Sequence, residues 1–191
     1  MVVKFDYASE TDVLRWKPWQ RDYRFGLFVI FPPDPPKSRV DALRNEYDPI
    51  SQSVIGAHIT LTVTLPRALA GLTELESIAS RIAPFLIRYG PLVNYLPAPG
   101  VCLGIQPQVK MVEVVSLLES AFAFTGAKPR PYPFSAHMTI AENITVAQTE
   151  SLMVELKDKV PVGDFLCDHV SFAVPDARFH FTERARLKLG R

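Results

Sequence analysis

Two pentapeptides of this chain match each other: Ala57-His58-Ile59-Thr60-Leu61 and Ala136-His137-Met138-Thr139-Ile140. Read as β-strands, they place histidine and threonine on one face, because residues i and i+2 of a strand point the same way. The hydrophobes between them point to the other face. In the first copy His58, Thr60, Thr62 and Thr64 alternate with Ile59, Leu61, Val63 and Leu65. That pattern predicts an unbroken strand over residues 58–65, with a polar face toward a cleft or solvent. The repeat predicts two similar lobes related by a pseudo-two-fold axis, which brings both histidines to one cleft.

All four histidines of the chain have Ser or Thr two residues later, including His169-Val170-Ser171 and His180-Phe181-Thr182. The bare pattern is therefore weak. The shared alanine before, the shared aliphatic residue after and the clean alternation set the first two copies apart. His169 and His180 lie among Phe172, Phe179 and Phe181 and read as sheet-packing residues. Thr62 and Thr64 read as ordinary β-branched strand residues.

Working outward, residues 25–31 (Phe-Gly-Leu-Phe-Val-Ile-Phe) form a short apolar run closed by Pro32, Pro33, Pro35 and Pro36, a buried strand. Ser38 opens a helical pattern with Val40, Leu43 and Tyr47 on one stripe. Thr73-Glu74-Leu75-Glu76 reads as a capping box leading a helix that carries Leu75, Ile78, Ala79 and Ile82 and stops at Pro84. Phe85, Ile87 and Tyr89 alternate as a strand does, and residues 101–105 predict another. Beyond Pro107 a helix is expected to bury Val109, Val112, Val115, Leu118 and Phe122, and a third helix spans residues 149–160. Residues 165–174 and 178–189 read as two strands joined in a hairpin at Pro175-Asp176. Strands mixed with single helices give an α+β class: two lobes of mostly antiparallel sheet, helices outside, a central cleft.

The length, 191 residues, suits one domain or two small lobes sharing a core. The expected organisation is an N-terminal extension over residues 1–24 packed on a single bilobal domain over 25–191. The proline clusters (Pro97 and Pro99; Pro129, Pro131 and Pro133) are too short to be flexible linkers. Lys and Arg number 21 against 20 Asp and Glu, so no global field exists for gripping a long nucleic-acid duplex, and anion recognition is local. Two cysteines, Cys102 and Cys167, make neither a disulfide framework nor a thiolate zinc cage and read as buried thiols of a reducing compartment. Lys4, Asp6, Glu10 and Asp12 interrupt the apolar runs of a signal peptide, and no stretch is apolar enough to span a membrane; a cytoplasmic location is expected.

The paired motifs and the order of elements, over roughly residues 25–190, resemble the 2H phosphoesterase superfamily, which includes the 2'-5' RNA ligase-like proteins and cyclic phosphodiesterases. The chain departs from the family in its first 24 residues and in running on to Pro66 where a turn glycine is common after the first motif. The resemblance implies that His58 and His137 are an acid–base pair and that Thr60 and Thr139 hold a phosphate. Chemistry allows this. Phosphoester cleavage near pH 7 needs a base for the attacking hydroxyl and an acid for the leaving oxygen, and an imidazole of pKa about 6.5 does either. Hydroxyls beside the rings suit a phosphoryl group whose charge is redistributed in the transition state.

The scheme requires no metal or other cofactor. Neither motif has a carboxylate at ligand spacing, Glu142 being merely near, although distant carboxylates remain a route to a metal site. The implied substrate is a small nucleotide or RNA end bearing a 2',3'-cyclic phosphate, cleaved to a monoester or joined as a 2'-5' linkage. The rival reading is a non-catalytic module that holds a phosphate, nucleotide or RNA end in the same cleft. Tyr132 and Phe134 are candidates to stack a base, and Arg130 to meet a phosphate, with Lys128 beside it. Arg184, Arg186, Lys188 and Arg191 alternate along the tail and read as guards of an edge strand. Trp16, Trp19 and Tyr23 read as anchors of the N-terminal segment. A monomer is expected.

Overall fold

The computed structural model describes residues 5–95 and 98–190. Its strands in chain order are β1 (Leu27–Ile30), β2 (Ile59–Thr60), β3 (Phe85–Asn94), β4 (Gly100–Gln106), β5 (His137–Glu142), β6 (Gly163–Cys167), β7 (His169–Pro175) and β8 (Phe181–Lys188). They form two antiparallel four-stranded sheets, ordered β2-β1-β7-β8 and β5-β4-β3-β6. Among the described residues they are accompanied by the α-helices α1 (Glu10–Leu14), α2 (Pro36–Tyr47), α3 (Pro49–Val54), α4 (Thr73–Ala79), α5 (Gln108–Glu119) and α6 (Val146–Glu155). This is the two-lobed α+β arrangement that the repeat predicts. In each lobe the motif strand is an edge strand, paired with the strand just before it in sequence across intervening helix: β1-α2-α3-β2 and β4-α5-β5.

The lobes share one hydrophobic interior. Phe28, Ile30 and Ile59 of the first sheet, Leu61 just beyond it, and Leu103, Ile105, Met138 and Ile140 of the second belong to a single buried cluster. The apolar residues that interleave the motifs are thus the anchors, and the alternation leaves His58 and Thr60 half-buried on the opposite face.

Several local expectations are corrected. The first motif strand stops at Thr60 rather than running to Leu65. Leu61 and Thr62 both donate to the Phe28 carbonyl, and the Thr62 hydroxyl accepts the Phe28 N–H at 3.0 Å, so the chain leaves the ladder there and Thr62 is buried. Thr73 is the first residue of α4, not its cap; no capping box forms, and the helix ends before Ile82. In α5 the buried stripe is Met111, Val114, Val115 and Leu118, whereas Val109 is 83% exposed and Val112 is exposed too; the helix ends at Glu119, so Phe122, 71% exposed, lies beyond it. Steps of three residues fall short of a full turn and drift round the helix; the i, i+3, i+4, i+7 set stays on one side. Helix α6 starts at Val146, capped by the Thr145 hydroxyl with Gln148 answering, and ends at Glu155 instead of spanning 149–160. The stretch 165–174 is two strands: the chain passes Asp168 and changes sheets, β6 pairing with β3 and β7 with β1.

The β7–β8 hairpin forms, turning over the Asp176 carboxylate, which accepts from the Arg178 and His180 N–H groups. Strand β8 is an edge strand with Arg184, Arg186 and Lys188 exposed. Lys4, Pro97 and Arg191 lie outside the described residues. Among the described residues no helix is long and apolar enough to cross a membrane. Trp16 packs on Phe179 at 5.1 Å and donates to the Ala177 carbonyl, and the Phe5 ring meets Phe172 at 5.0 Å.

Candidate active site

Both motif histidines are oriented the same way. The Nδ1 of His58 lies 2.8 Å from the Gly56 carbonyl, and that of His137 lies 2.7 Å from the Ser135 carbonyl, in each case two residues upstream. A carbonyl only accepts, so each ring carries its proton on Nδ1 when neutral and presents Nε2 as the lone-pair nitrogen. Thr60 and Thr139 stand on the same face as their histidines by the strand period, Thr139 being 9% exposed. The edges that carry the motifs, β2 and β5, pack against each other.

The surroundings of the two rings differ. Burial pushes the His58 imidazole down to about 4; the Gly56 carbonyl opposes this, while the nearby Arg44 guanidinium and a charge on His137 add to it. His137 is lowered mainly by burial, against the pull of the Ser135 carbonyl. Both rings are therefore neutral in the ligand-free protein at pH 7. The reading of one charged and one neutral ring applies only once an anion supplies the compensating charge. Tyr95 packs its ring 4.5 Å from that of His137. Glu142, at the end of β5, is raised by burial with Arg44 opposing, and its charge reaches both Tyr95 and Tyr23. Tyr23 packs beside Leu27, Val29 and Ala173, and Val29 is the register partner of Thr60.

The profile of the 2'-5' RNA ligase superfamily matches residues 32–178, a span that includes both motifs. The chain belongs to the 2'-5' RNA ligase superfamily. A Bacillus thuringiensis (strain Al Hakam) protein named "Putative phosphoesterase" is 29% identical over 157 residues, covering 80% of this chain and 84% of that one. A Bacillus cereus (strain B4264) protein that is also named a putative phosphoesterase is 28% identical over 156 residues, with the same coverage. Escherichia coli LigT complexed with 3'-AMP has a similar fold, with a TM-score of 0.59 at 20% identity, covering 86% of this chain and 97% of that one. The Thermus thermophilus protein TT0787 gives a TM-score of 0.59 at 14% identity, over 86% of this chain and 98% of that one. Superfamily membership supports phosphoesterase activity.

The superfamily match begins after Tyr23 and ends before β8, so Tyr23 reaches the motif face from outside the matched region. Arg130, Tyr132 and Phe134 line a surface groove of about 570 Å³ with Val63 and Glu119, and no motif residue lines it. Arg130 is already engaged there. It pairs with Glu119, donates to the Leu61 carbonyl at 2.5 Å and lies over the Phe134 ring at 5.1 Å. Glu119 also accepts the Val63 N–H at 2.7 Å, so the pair braces the exit of the first motif. Tyr132 is 60% exposed, and Lys128 pairs with Asp22.

Sequence reasoning missed Tyr95 and Arg44 and gave Glu142 no role. Tyr95 carries no pattern of its own. For Arg44 a signal existed: Lys37, Asp41 and Arg44 recur every three or four residues, a charged stripe along one side of α2 that leads to Asp48 at its cap. His169 bonds to Asp168 at 2.6 Å, and Ser171 is buried and donates to Glu183, which also holds Arg186.

Proposed function

We propose that this protein is a metal-independent phosphoesterase that opens a 2',3'-cyclic phosphate on a nucleotide or RNA end. The observation that carries the reading is the matched pair of imidazoles, each tied by Nδ1 to a carbonyl two residues upstream and each offering Nε2. LigT is complexed with 3'-AMP in a structure of the same fold, which supports a nucleotide phosphate as ligand.

In the proposed reaction neutral His58 is the base and His137 the acid. His58 is held the more firmly neutral, with Arg44 beside it. The anionic substrate raises the proton affinity of His137 as it binds. Water attacks phosphorus and gives its proton to Nε2 of His58. The bond from phosphorus to one ribose oxygen breaks, and that oxygen takes a proton from Nε2 of His137. The product is a phosphomonoester; a ribose hydroxyl in place of water gives a 2'-5' linkage. Thr60 and Thr139 donate to the non-bridging oxygens, and Tyr132, Phe134 and Arg130 border the path of a longer substrate.

Hydrolysis of 2',3'-cyclic nucleotides and cyclic-phosphate-ended oligoribonucleotides in EDTA tests the proposal. Loss of at least roughly 100-fold in both His58→Ala and His137→Ala is expected, the scale of general acid–base help. Turnover unchanged in both variants, or dependence on an added divalent ion, refutes it. Tight cyclic-nucleotide binding without product on long incubation identifies a binding module instead.

A further inference from the structure

Arg44 is the largest fully buried side chain with a charge, at 1% exposure, in a helix otherwise read as amphipathic. Its guanidinium makes three bonds in three directions. Nε donates to the Gln52 side-chain oxygen of α3 at 2.8 Å, Nη2 to the Ile55 carbonyl at 3.1 Å and Nη1 to the Thr139 carbonyl at 2.8 Å. Ile55 immediately precedes Gly56, whose carbonyl holds the His58 ring. Thr139 is the hydroxyl residue of the second motif. One planar group therefore grips the backbone of both lobes at their motifs.

Two carboxylates close to it in the chain act in the same place. Asp41, three residues earlier, accepts the Ala57 N–H at 2.6 Å, just before His58. Asp48, four residues later, accepts the Glu142 N–H at 3.0 Å, at the end of β5. Positions 41 and 44 share one side of α2, and Asp48 stands at its C-terminal cap, where α3 begins, so the helix and its cap together reference both motif strands.

We propose that Arg44 is a positioning residue for the reaction: held between the carbonyls of Ile55 and Thr139, it sets the separation of His58 from His137. Two acid–base groups that serve one phosphorus must keep a fixed spacing, yet they stand on different sheets with no β-ladder between them among the described residues. A guanidinium suits the task because its donors are rigidly splayed; an ammonium is a point charge. The groups facing Arg44 are Asp41 of α2, Asp48 at the junction of α2 and α3, Glu142 of β5 and His58 beside β2, with Lys37 paired to Asp41 and His137 beyond His58. The positive charge is thus balanced by three carboxylates, and its local effect is to disfavour a proton on His58.

The inference rests on the proposed reading that both histidines serve one phosphate. Three variants test it: Arg44→Lys, Gln52→Ala and Arg44→Met. Arg44→Lys keeps the charge but cannot hold both carbonyls and Gln52 together. Its kcat on a 2',3'-cyclic nucleotide should fall roughly 10–100-fold, with KM within about threefold, the signature of misplaced acid–base groups. Gln52→Ala frees Nε and should lower kcat by roughly 3–10-fold. In ligand-free Arg44→Met the His58 titration, followed by NMR of the imidazole Cε1–H, should move upward; where that variant does not fold, the other two decide. Folded Arg44→Lys and Gln52→Ala with wild-type kcat, whatever their Tm, overturn the inference. So does a crystal structure of Arg44→Lys in which the imidazoles keep their wild-type separation. That last measurement needs no substrate, so it separates failure of this inference from failure of the proposed reaction, which the alanine variants of the two histidines report.

Discussion

The two motifs are near copies in sequence and unequal in setting. In the first, a two-residue strand ends at once, its next hydroxyl is spent on the Phe28 N–H, and the charge of a buried arginine acts on the histidine. In the second, a six-residue strand carries the histidine against the Tyr95 ring, and burial, opposed by the Ser135 carbonyl, acts on its charge. The pentapeptide dictates what is local: the side-chain face and the Nδ1 contact two residues upstream. The neighbours supplied by other elements dictate proton affinity. A symmetric pair would have no assigned base and acid; this pair is biased.

Removing the rings one at a time, in single-turnover assays across pH, tests whether the inequality of the two settings matters. His58→Ala should cost the larger factor, roughly 10³–10⁴, because no neighbour replaces a base there, and His137→Ala roughly 10²–10³. Equal losses with superimposable pH profiles would show that the inequality of the two lobes has no catalytic meaning.

A second expectation concerns stability against pH. The folded pKa of His58 lies near 4, below the unfolded value of about 6.5. Between these values the unfolded chain binds more protons, so stability is full above about pH 6.5 and is lost as pH falls toward 4. The ceiling is about 3 kcal/mol, reduced by the part of the ring open to water. Urea midpoints at pH 7 and 5 for wild type and His58→Gln measure it, and a pH difference that survives the substitution assigns the effect elsewhere. His137→Gln should remove less of it.

Two threonines of the first lobe separate function from support. Thr62→Val leaves the buried Phe28 N–H without its hydroxyl and should destabilise by roughly 1–3 kcal/mol, with kcat of the folded protein near wild type. Thr60→Val should do the reverse: a kcat loss of roughly 10-fold and a Tm change of a degree or two. Thr139→Val should match Thr60→Val if the lobes share the phosphate equally. A Thr62→Val protein that keeps its Tm and loses turnover would exchange the two roles.

Much of the architecture was legible because alternation and apolar runs report directly on burial. Ile59, Leu61, Met138 and Ile140 are anchored as their period requires. Legibility failed where a pattern had two physical readings. The apolar stretch around Asp168 looks like one strand, since nothing in a period of two marks a change of sheet. Val109 and Val112 look like part of a helical stripe until the angular drift of three-residue steps is counted, and Phe122 lies beyond the end of α5. Arg130 reads in the sequence as a free loop cation, whereas Glu119, at the end of α5, pairs with it.

The repeated motif, the face each histidine shares with its threonine and the apolar residues that seat both strands follow from local sequence, because strand geometry makes these matters of nearest neighbours. That α2 grips both motifs through Arg44, that Tyr95 packs on His137, and that the two imidazoles differ in proton affinity follows from the packing of distant elements. Burial and charge at one atom are sums over groups remote along the chain, and no local pattern contains those sums.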